Sequence, residues 1–275
     1  MAEKNPPASV LDAGSSFHAE ANGIRFHCRI DGRKDAPWLV FSNSLATNLS
    51  LWDGQIASFE NSFRILRYDQ RGHGGTEVPS EPCSFEQLVD DVVALFDALA
   101  IPRATFVGVS MGAVTALRLA ARHAERLDRM VACDGQWVSP AGARELWEER
   151  FAVVRKQGME ALVEPTARRW FRPEFIAGNP PVLAKVRRMI ATTPAGGFIA
   201  CARALQQYDY RQCLPQIGVP TLLLAGAADG TMPEVMREMH QAMPGSKFVE
   251  IPNAGHLPNL ENPEVFNQTL AKFLA

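Results

Sequence analysis

One serine of the chain lies in a context that is typical of a catalytic nucleophile. Residues 108–112, Gly-Val-Ser-Met-Gly, match the pattern Gly-x-Ser-x-Gly. The pattern directly follows a short apolar run at 105–108, a predicted strand, and opens a predicted helix at 110–123. Small residues on both sides of the serine permit a tight turn that presents the hydroxyl. Ser110 is therefore predicted to be the nucleophile, and the alternative is an ordinary helix N-cap.

A serine nucleophile needs a base, and the chain has six histidines. His256 lies in a predicted loop after the apolar strand 247–251. In a doubly wound sheet that loop opens at the carboxyl ends of the strands, as does the turn that carries Ser110. His256 is the predicted base. His73 follows another strand on the same side and is the one rival, although shaping the Gly-rich turn around it is the simpler role.

The histidine in turn needs an acid that fixes its tautomer and stabilises its charged form. Asp229 follows the predicted strand 221–225 and is the predicted acid, which gives the chain order serine, aspartate, histidine. Asp134 follows the strand 129–133 and is the rival. Asp134 is also a candidate for contact with the substrate.

Acyl transfer also needs hydrogen-bond donors for the developing oxyanion. One predicted donor is the backbone N–H of Met111, directly after the nucleophile. The other comes from the loop after the strand 38–42, where the N–H of Leu45 is preferred and those of Ser44 and Ala46 are alternatives. Asn43 and Ser44 are predicted to brace this loop or to touch the substrate.

The elements that must position these residues alternate along the chain. Apolar strands predicted at 24–30, 38–42, 64–68, 105–108, 129–133, 221–225 and 247–251 are interrupted by helical patterns, notably at 84–100, 110–123 and 263–274. Such alternation indicates βαβ units and a largely parallel sheet. Because the strands are apolar throughout, helices are expected to cover both faces.

The alternation stops between the strands 129–133 and 221–225. Residues 136–207 show helical periodicity with many arginines and glutamates and no clear strand. We predict an α/β core formed by residues 1–135 and 208–275, with 136–207 as a helical cap inserted over one end of the sheet. The cap supplies candidate substrate contacts in Trp170 and Arg168, and Trp137 lies at its start. Further candidate cations for an anionic substrate are Arg144, Arg169 and Arg172.

Composition excludes several functional classes. The chain has 275 residues, of which 47% are apolar and 21% charged, with a net charge of −2. These values are those of a folded domain and not of a disordered chain. A near-neutral balance argues against nucleic acid as a partner, because binding phosphates needs a basic face.

Targeting and metal-binding signals are also not expected. The start of the chain does not match a signal peptide, and no stretch approaches the length of a membrane span, so a cytoplasmic protein with no membrane partner is predicted. The five cysteines are scattered and are expected to be free thiols, and no metal site is predicted. The expected partner is a small-molecule ester or lactone, and the expected state is a monomer or a homodimer.

The motifs taken together resemble those of a known family. The segments SNSLATNLSLWD (42–53), LRYDQRGHG (66–74), GVSMG (108–112), AGAAD (225–229) and NAGHLPNLENPEVF (253–266) are similar to those of the α/β-hydrolase fold. More closely, they resemble the 3-oxoadipate enol-lactonases, from about residue 20 to the C-terminus. The specific signal is Ser-Asn-Ser-Leu at 42–45, where most α/β-hydrolases have His-Gly.

The resemblance implies a mostly parallel eight-stranded sheet and hydrolysis of a small enol-lactone without a cofactor. Ser110 would attack the lactone carbonyl, and His256 would take its proton and pass it to the leaving oxygen. Two departures from the enol-lactonase pattern are Ala113, where that family has a second glycine, and the run 134–137, Asp-Gly-Gln-Trp, where it has small polar residues and a lysine. An acidic Asp134 and a bulky Trp137 would suit a neutral or more apolar ester or lactone, which is the alternative substrate class. A carbon–carbon bond hydrolase and a non-catalytic hormone-type receptor are further alternatives.

Overall fold

An eight-stranded sheet runs through the part of the chain that the structure, a computed structural model, describes: residues 12–275. The strands are β1 (Ser15–Ala21), β2 (Ile24–Gly32), β3 (Trp38–Ser42), β4 (Arg64–Tyr68), β5 (Ala104–Val109), β6 (Leu127–Cys133), β7 (Thr221–Gly226) and β8 (Lys247–Ile251). Each predicted strand is present, with ends that differ by at most two residues. Residues 1–11, the first part of the predicted core, lie outside the described residues.

The order of strands across the sheet is β1-β2-β4-β3-β5-β6-β7-β8. β2 is antiparallel to both of its neighbours, β1 and β4, and the remaining neighbouring pairs are parallel. The carboxyl ends of β3, β5, β6, β7 and β8 consequently meet at one edge. The predicted mostly parallel α/β sheet is confirmed.

Helices connect the strands and cover the sheet. They are α1 (Asp53–Phe59), α2 (Phe85–Ala98), α3 (Met111–Arg122), α4 (Ala143–Gln157), α5 (Val163–Trp170), α6 (Pro173–Gly178), α7 (Pro181–Thr192), α8 (Ala195–Ala202), α9 (Met232–Ala242), α10 (Pro258–Glu261) and α11 (Pro263–Leu274). The three helices predicted in the core are present as α2, α3 and α11. The sequence analysis did not predict α1, because seven residues make too few turns for a clear period.

Alternating strand residues pack into two separate layers. Leu39 and Phe41 of β3 belong to one hydrophobic cluster, whereas Val40 between them belongs to the other. This follows from the two-residue period of a strand, which sends successive side chains to opposite faces. Both clusters are buried, as expected for a parallel sheet that is covered on both sides.

The segment between β6 and β7 contains α4 to α8. We call residues 136–207 the inserted segment. Its two ends are joined by an isolated bridge between Val138 and Asp209. Buried residues of the inserted segment, among them Phe151, Val186 and Ile190, belong to the same hydrophobic cluster as Leu39 and Phe41 of the sheet. The inserted segment therefore shares a continuous hydrophobic core with the face of the sheet that carries Leu39 and Phe41.

None of the helices formed by residues 12–275 is both long and apolar enough to cross a membrane.

Candidate active site

Ser110 occupies the turn between β5 and α3. Its backbone has φ +57° and ψ −114°, which is a conformation that residues with a Cβ rarely adopt. A Cβ at Gly108 would lie 2.0 Å from the carbonyl oxygen of Gly112, and one at Gly112 would lie 2.5 Å from that of Ser42. Both glycines are therefore required by the close approach of α3 to the strands. The Gly-x-Ser-x-Gly pattern is a packing requirement as much as a chemical one.

Ser110 forms a hydrogen-bonded chain with His256 and Asp229. The Ser110 Oγ lies 2.8 Å from Nε2 of His256, and the His256 Nδ1 lies 2.6 Å from Oδ2 of Asp229. Ser110 follows β5, Asp229 follows β7 and His256 follows β8. The three side chains thus meet at the carboxyl edge of the sheet, where the sequence analysis expected them. This geometry permits proton transfer from the serine hydroxyl to the imidazole.

Asp229 and its rival Asp134 have different environments. Burial acts to raise the pKa of Asp229, but the facing His256, the Arg169 charge and a contact with Asp134 outweigh it, so that this pKa lies below its ordinary value. Burial raises the pKa of Asp134 well above its ordinary value, and the charge of Asp229 adds to this, whereas the N–H of Gly226 opposes it. Asp229, the residue in contact with His256, is therefore the ionised carboxylate.

His256 is held in place from the inserted segment. Its backbone N–H donates to the carbonyl oxygen of Trp170 at 2.7 Å, and the Trp170 ring stacks on the imidazole with a centroid separation of 6.0 Å. The fully buried carboxylate of Glu261 accepts hydrogen bonds from the N–H of Gly255 at 2.7 Å and from Nε of Arg172 at 3.0 Å. Arg172, a candidate substrate cation, thus has a structural partner.

The loop after β3 lines the same cavity as Ser110. Asn43 is fully buried and fastens this loop: its Nδ2 donates to the carbonyl of Tyr68 at 2.7 Å, and its Oδ1 accepts from Nε1 of Trp52 at 3.0 Å. Among residues 12–275 we find no hydrogen-bond partner for the N–H of Leu45 or of Met111. These two amides are available as donors to an oxyanion.

His73 supports the same loop. The N–H of Ala46 donates to Nε2 of His73 at 3.0 Å, so Nδ1 must carry the proton and donate to the carbonyl of Arg71 at 3.0 Å. Burial lowers the pKa of His73, which favours this neutral form. Ala46 is therefore occupied and is removed as an alternative oxyanion donor. His73 shapes the loop and does not contact Ser110.

A cavity of about 440 Å³ opens above Ser110 and His256. Its size lies within the range of small-molecule sites. Most of its wall is apolar and comes from the inserted segment, including Pro140, Leu146, Trp147, Val153, Leu162, Ile190 and Phe198. The inserted segment thus forms most of the cavity wall, although its sequence did not indicate which of its residues would line the cavity.

Two arginines interrupt the apolar wall. Arg150 and Arg169 both line the cavity. Burial lowers the pKa of Arg150, and the neighbouring charge of Arg169 adds to the effect. Within residues 12–275 neither guanidinium forms an ion pair with a carboxylate, and Arg150 instead lies over the ring of Trp147 at 4.7 Å. Two close and unpaired cations in a cavity favour an anionic occupant.

The predicted substrate contacts divide into two groups. Ser44, Asp134 and Trp170 line the cavity, whereas Asn43, Trp137 and Arg168 are not among its lining residues, and their contact with a substrate stays a prediction. Asn43 is engaged within its loop, as described above. Trp137 packs against the hydrophobic cluster on the other face of the sheet. Arg168 is exposed, as is Arg169 beside it. Of the two neighbouring arginines on α5, Arg169 lines the cavity and Arg168 does not.

Two cavity residues were not predicted from the sequence. Arg150 was not among the predicted cations, and Tyr208 was not among the predicted substrate contacts. Arg150 belongs to α4, where arginines and glutamates occur on several faces. No local signal distinguishes an arginine that faces the cavity from one that faces solvent. The aromatic character of the surrounding residues, Trp147 and Phe151, was the one available indication.

Asp134, Asp229 and His256 also have ligand atoms within 4.8 Å of one another, a spacing that can hold a metal ion. The hydrogen bonds of these three residues do not favour a bound metal ion. The His256 Nδ1 and the Asp229 Oδ2 are hydrogen-bonded to each other, and His256 Nε2 contacts Ser110. A metal ion would have to replace this chain, and zinc sites with three ligands place each donor directly on the metal.

Comparison with known proteins places this geometry in context. Residues 37–263 match the sequence model of the alpha/beta hydrolase fold family. The chain is 37% identical over 239 residues to 3-oxoadipate enol-lactonase 2 of Acinetobacter baylyi, which covers 87% of this chain and 89% of that protein. It is 35% identical to 3-oxoadipate enol-lactonase 1 of the same organism, covering 92% of this chain and 94% of that protein.

Solved structures give the same picture. The enol-lactonase of Burkholderia xenovorans superposes with a TM-score of 0.88 at 40% identity, covering 94% of this chain and 99% of that one. An esterase of Thermogutta terrifontis superposes with a TM-score of 0.88 at 27% identity, covering 94% of this chain and 98% of that one. The similarity thus extends over the inserted segment as well as the sheet.

Proposed function

This chain belongs to the α/β-hydrolase fold family, and on that premise we propose that it is a serine hydrolase that opens a small carboxylic ester or lactone through an acyl-enzyme. The best single candidate substrate is 3-oxoadipate enol-lactone. The observation that carries the proposal is the continuous hydrogen-bonded chain from Ser110 through His256 to Asp229 at the wall of a small-molecule cavity.

In the first half-reaction the Ser110 Oγ attacks the lactone carbonyl and passes its proton to Nε2 of His256. Asp229 stabilises the imidazolium through Nδ1. The tetrahedral intermediate then collapses, the ring C–O bond breaks, and His256 returns the proton to the leaving enol oxygen. Ser110 is left esterified to the opened acid.

In the second half-reaction water attacks the acyl carbonyl, and His256 takes one of its protons. Collapse of this intermediate releases the carboxylic acid and returns the proton to Ser110. The N–H groups of Leu45 and Met111 donate to the oxyanion in both half-reactions. Removing one such donor typically costs 10²- to 10³-fold in turnover, so these amides are a major part of catalysis.

The arginines of the cavity argue for a substrate that carries a carboxylate. Arg150 and Arg169 form no ion pair with a carboxylate among the described residues, and an anion that shares the cavity would stabilise the half-buried guanidinium of Arg150. An enol-lactone with a free carboxylate supplies that anion. The two Acinetobacter baylyi relatives, named as 3-oxoadipate enol-lactonases, support the same substrate.

A second candidate is the hydrolysis of a neutral, more apolar ester. The apolar wall contributed by Leu146, Val153 and Phe198 favours it. Such a substrate would leave Arg150 and Arg169 unpaired, which makes it the weaker candidate.

The hydrolase proposal is tested by covalent labelling with a fluorophosphonate probe. The wild-type protein is expected to be labelled once, at Ser110, and Ser110→Ala is expected to lose labelling together with roughly three to six orders of magnitude in turnover. Ser62→Ala, a change at an exposed serine, is the matched control and is expected to keep both. Absence of labelling in folded wild-type protein would refute the proposal.

The substrate is tested by comparing a carboxylated enol-lactone with a neutral ester. Arg150→Met keeps the apolar stem of the side chain and is expected to raise KM for the carboxylated lactone about 10- to 100-fold, the value of one hydrogen bond to a charged group. KM for the neutral ester is expected to stay within about threefold, since that substrate forms no such bond. Arg168→Met, one helix position from Arg169, is the control. An unchanged KM for the carboxylated lactone would favour the second candidate.

A further inference from the structure

Asp134 lies beside the hydrogen-bonded chain but has no place in the mechanism above. It follows β6, is 1% exposed and has a φ of +47°. Its N–H donates to the carbonyl of Leu224 in β7 at 2.9 Å. A left-handed backbone conformation is costly for a residue with a Cβ, although aspartate tolerates it better than most. The fold thus holds Asp134 firmly against the Asp229 loop.

The two carboxyl oxygens of Asp134 differ. Oδ1 accepts a hydrogen bond from the N–H of Gly226 at 2.8 Å. Oδ2 is buried, and among the described residues it has no hydrogen-bond partner that meets normal geometry. One carboxyl oxygen of Asp134 nevertheless lies within 4.8 Å of ligand atoms of both Asp229 and His256. Oδ2 is therefore the buried polar atom that needs a partner, and Asp229 is at hand.

The charges of the site determine which carboxyl group keeps a proton. Two buried carboxylates at this distance cannot both ionise at moderate cost. Asp229 faces His256 and the positive field of Arg169, which favour its ionised form. Asp134 faces Asp229 and the thiol of Cys133, and it forms no ion pair within residues 12–275. The proton accordingly belongs on Asp134.

We propose that Asp134 is a fourth member of the proton network: an uncharged carboxylic acid whose Oδ2 donates a hydrogen bond to the Asp229 carboxylate and so holds Asp229 against Nδ1 of His256. Asp134 is in this sense a positioning residue that acts through Asp229. The proposal rests on the proposed function, because it assigns Asp134 a role toward the acid of that triad. The upward shift of the Asp134 pKa agrees with it.

This role has a clear chemical signature. An asparagine at position 134 would offer an Nδ2–H donor to Asp229 and an Oδ1 acceptor to Gly226, which are the bonds of the neutral acid. An alanine would offer neither. If Asp134 were instead ionised, Asp134→Asn would remove an anion next to His256, and the proton affinity of the imidazole would fall.

The first test is infrared difference spectroscopy of wild-type protein against Asp134→Asn at neutral pH. A carbonyl stretching band of a protonated carboxylic acid is expected in the wild type only. This measurement does not depend on hydrolysis, so failure of the proposed function would not remove the band. Absence of the band would overturn the inference.

The second test is the pH dependence of the rate at which a fluorophosphonate modifies Ser110. Asp134→Asn is expected to keep the rate within about threefold and to leave the acidic midpoint unchanged, since its charge and donor pattern match the neutral acid. Asp134→Ala is expected to lose about 10- to 100-fold, the value of one bond to a charged group. A fall of the acidic midpoint by about one unit or more in Asp134→Asn would show that Asp134 is ionised, which contradicts the inference.

The outcomes separate the two proposals. A wild-type protein that has the infrared band but is not modified at Ser110 would refute the hydrolase and leave the protonation state of Asp134 intact. Should Asp134→Ala fail to fold, as judged by circular dichroism, the infrared band and the midpoint of Asp134→Asn still decide.

Discussion

Ser110, the proposed nucleophile, has a backbone conformation that is costly for folding. Its φ of +57° is held by the hydrogen bond from its N–H to the carbonyl of Cys133 at 2.8 Å and by the start of α3. Backbone strain of this kind costs about 1–3 kcal/mol and persists only where the surrounding structure imposes it. The turn stores this strain and presents the hydroxyl to His256.

The strain at Ser110 can be measured directly. Ser110→Gly removes both the hydroxyl and the Cβ, whereas Ser110→Ala removes the hydroxyl alone. We expect Ser110→Gly to be more stable to unfolding than Ser110→Ala by about 1 kcal/mol, which is the strain less the entropic cost of glycine. Chemical denaturation of both variants gives the comparison. Equal stabilities would mean that the turn is not strained.

The protonated state inferred for Asp134 predicts a pH-dependent stability. As pH rises above the ordinary pKa of aspartate, the unfolded chain releases this proton while the folded protein keeps it. The unfolded state then binds fewer protons, so the contribution of Asp134 to the free energy of unfolding falls by about 1.4 kcal/mol per pH unit until the folded group titrates.

Asp134→Asn removes this dependence. The stability of the variant relative to wild type is expected to increase by roughly 1 kcal/mol or more between about pH 4 and about pH 7. Thermal or denaturant unfolding of both proteins over that range provides the measurement, and the subtraction cancels the other titrating groups. A difference that is constant with pH would contradict the neutral acid.

At the scale of elements, the close approach of α3 to β3 positions two parts of the site at once. The N–H of Gly112 donates to the carbonyl of Asn43 at 3.1 Å, which ties the loop of Leu45 to the start of α3. The two proposed oxyanion donors, Leu45 and Met111, thereby belong to one rigid unit. A small displacement of α3 would separate them.

Gly112→Ala tests this coupling. The added Cβ would lie 2.5 Å from the Ser42 carbonyl oxygen, and backbone atoms cannot yield as a flexible side chain can. We expect a loss of stability of about 1–3 kcal/mol, as for other overpacked sites, together with a loss of labelling at Ser110. Gly54→Ala in α1, where a Cβ meets no atom within 4 Å, is the matched control and is expected to be neutral or slightly stabilising. Full stability and labelling in Gly112→Ala would show that α3 can shift without harm.

At the scale of the whole molecule, the inserted segment and the sheet share one hydrophobic cluster. Glu261 adds polar links, because its buried carboxylate accepts from both the main chain and the side chain of Arg172, next to α5. Independent domains share few contacts across their boundary. The inserted segment instead shares buried apolar contacts with the sheet and a polar contact with Glu261. The division into core and cap stays a prediction, and the shared cluster indicates that the two parts stabilise each other.

Cooperative unfolding is the consequence. Pulsed hydrogen exchange across a denaturant series is expected to give one midpoint for peptides from α4 and α7 and for peptides from β5 and β6. The shared cluster couples them, since opening the inserted segment would expose the apolar side chains of the sheet. A lower midpoint for α4 and α7 would show that the inserted segment opens by itself.

Much of the site was predictable because its signals are local. Ser110, Asp229 and His256 each follow a short apolar strand, and parallel strands bring their carboxyl ends to a common edge whatever the loops do. The glycines beside Ser110 are required by contacts within a few residues of the turn. These strand and turn patterns depend only on residues that are close in sequence, so sequence periodicity is enough to find them.

The sequence by itself determined the strands, the order of the three polar residues and the side of the sheet on which they meet. Only the tertiary structure decided which aspartate pairs with His256 and which arginines face the cavity. Asp229 and Asp134 both follow parallel strands, and their difference arises from charges across the sheet edge. Arg169 and Arg168 are neighbours on α5, and the packing of that helix against His256 selects one of them. Contacts between segments that are distant in sequence decide which aspartate pairs with His256 and which arginines line the cavity. Local periodicity does not indicate such contacts.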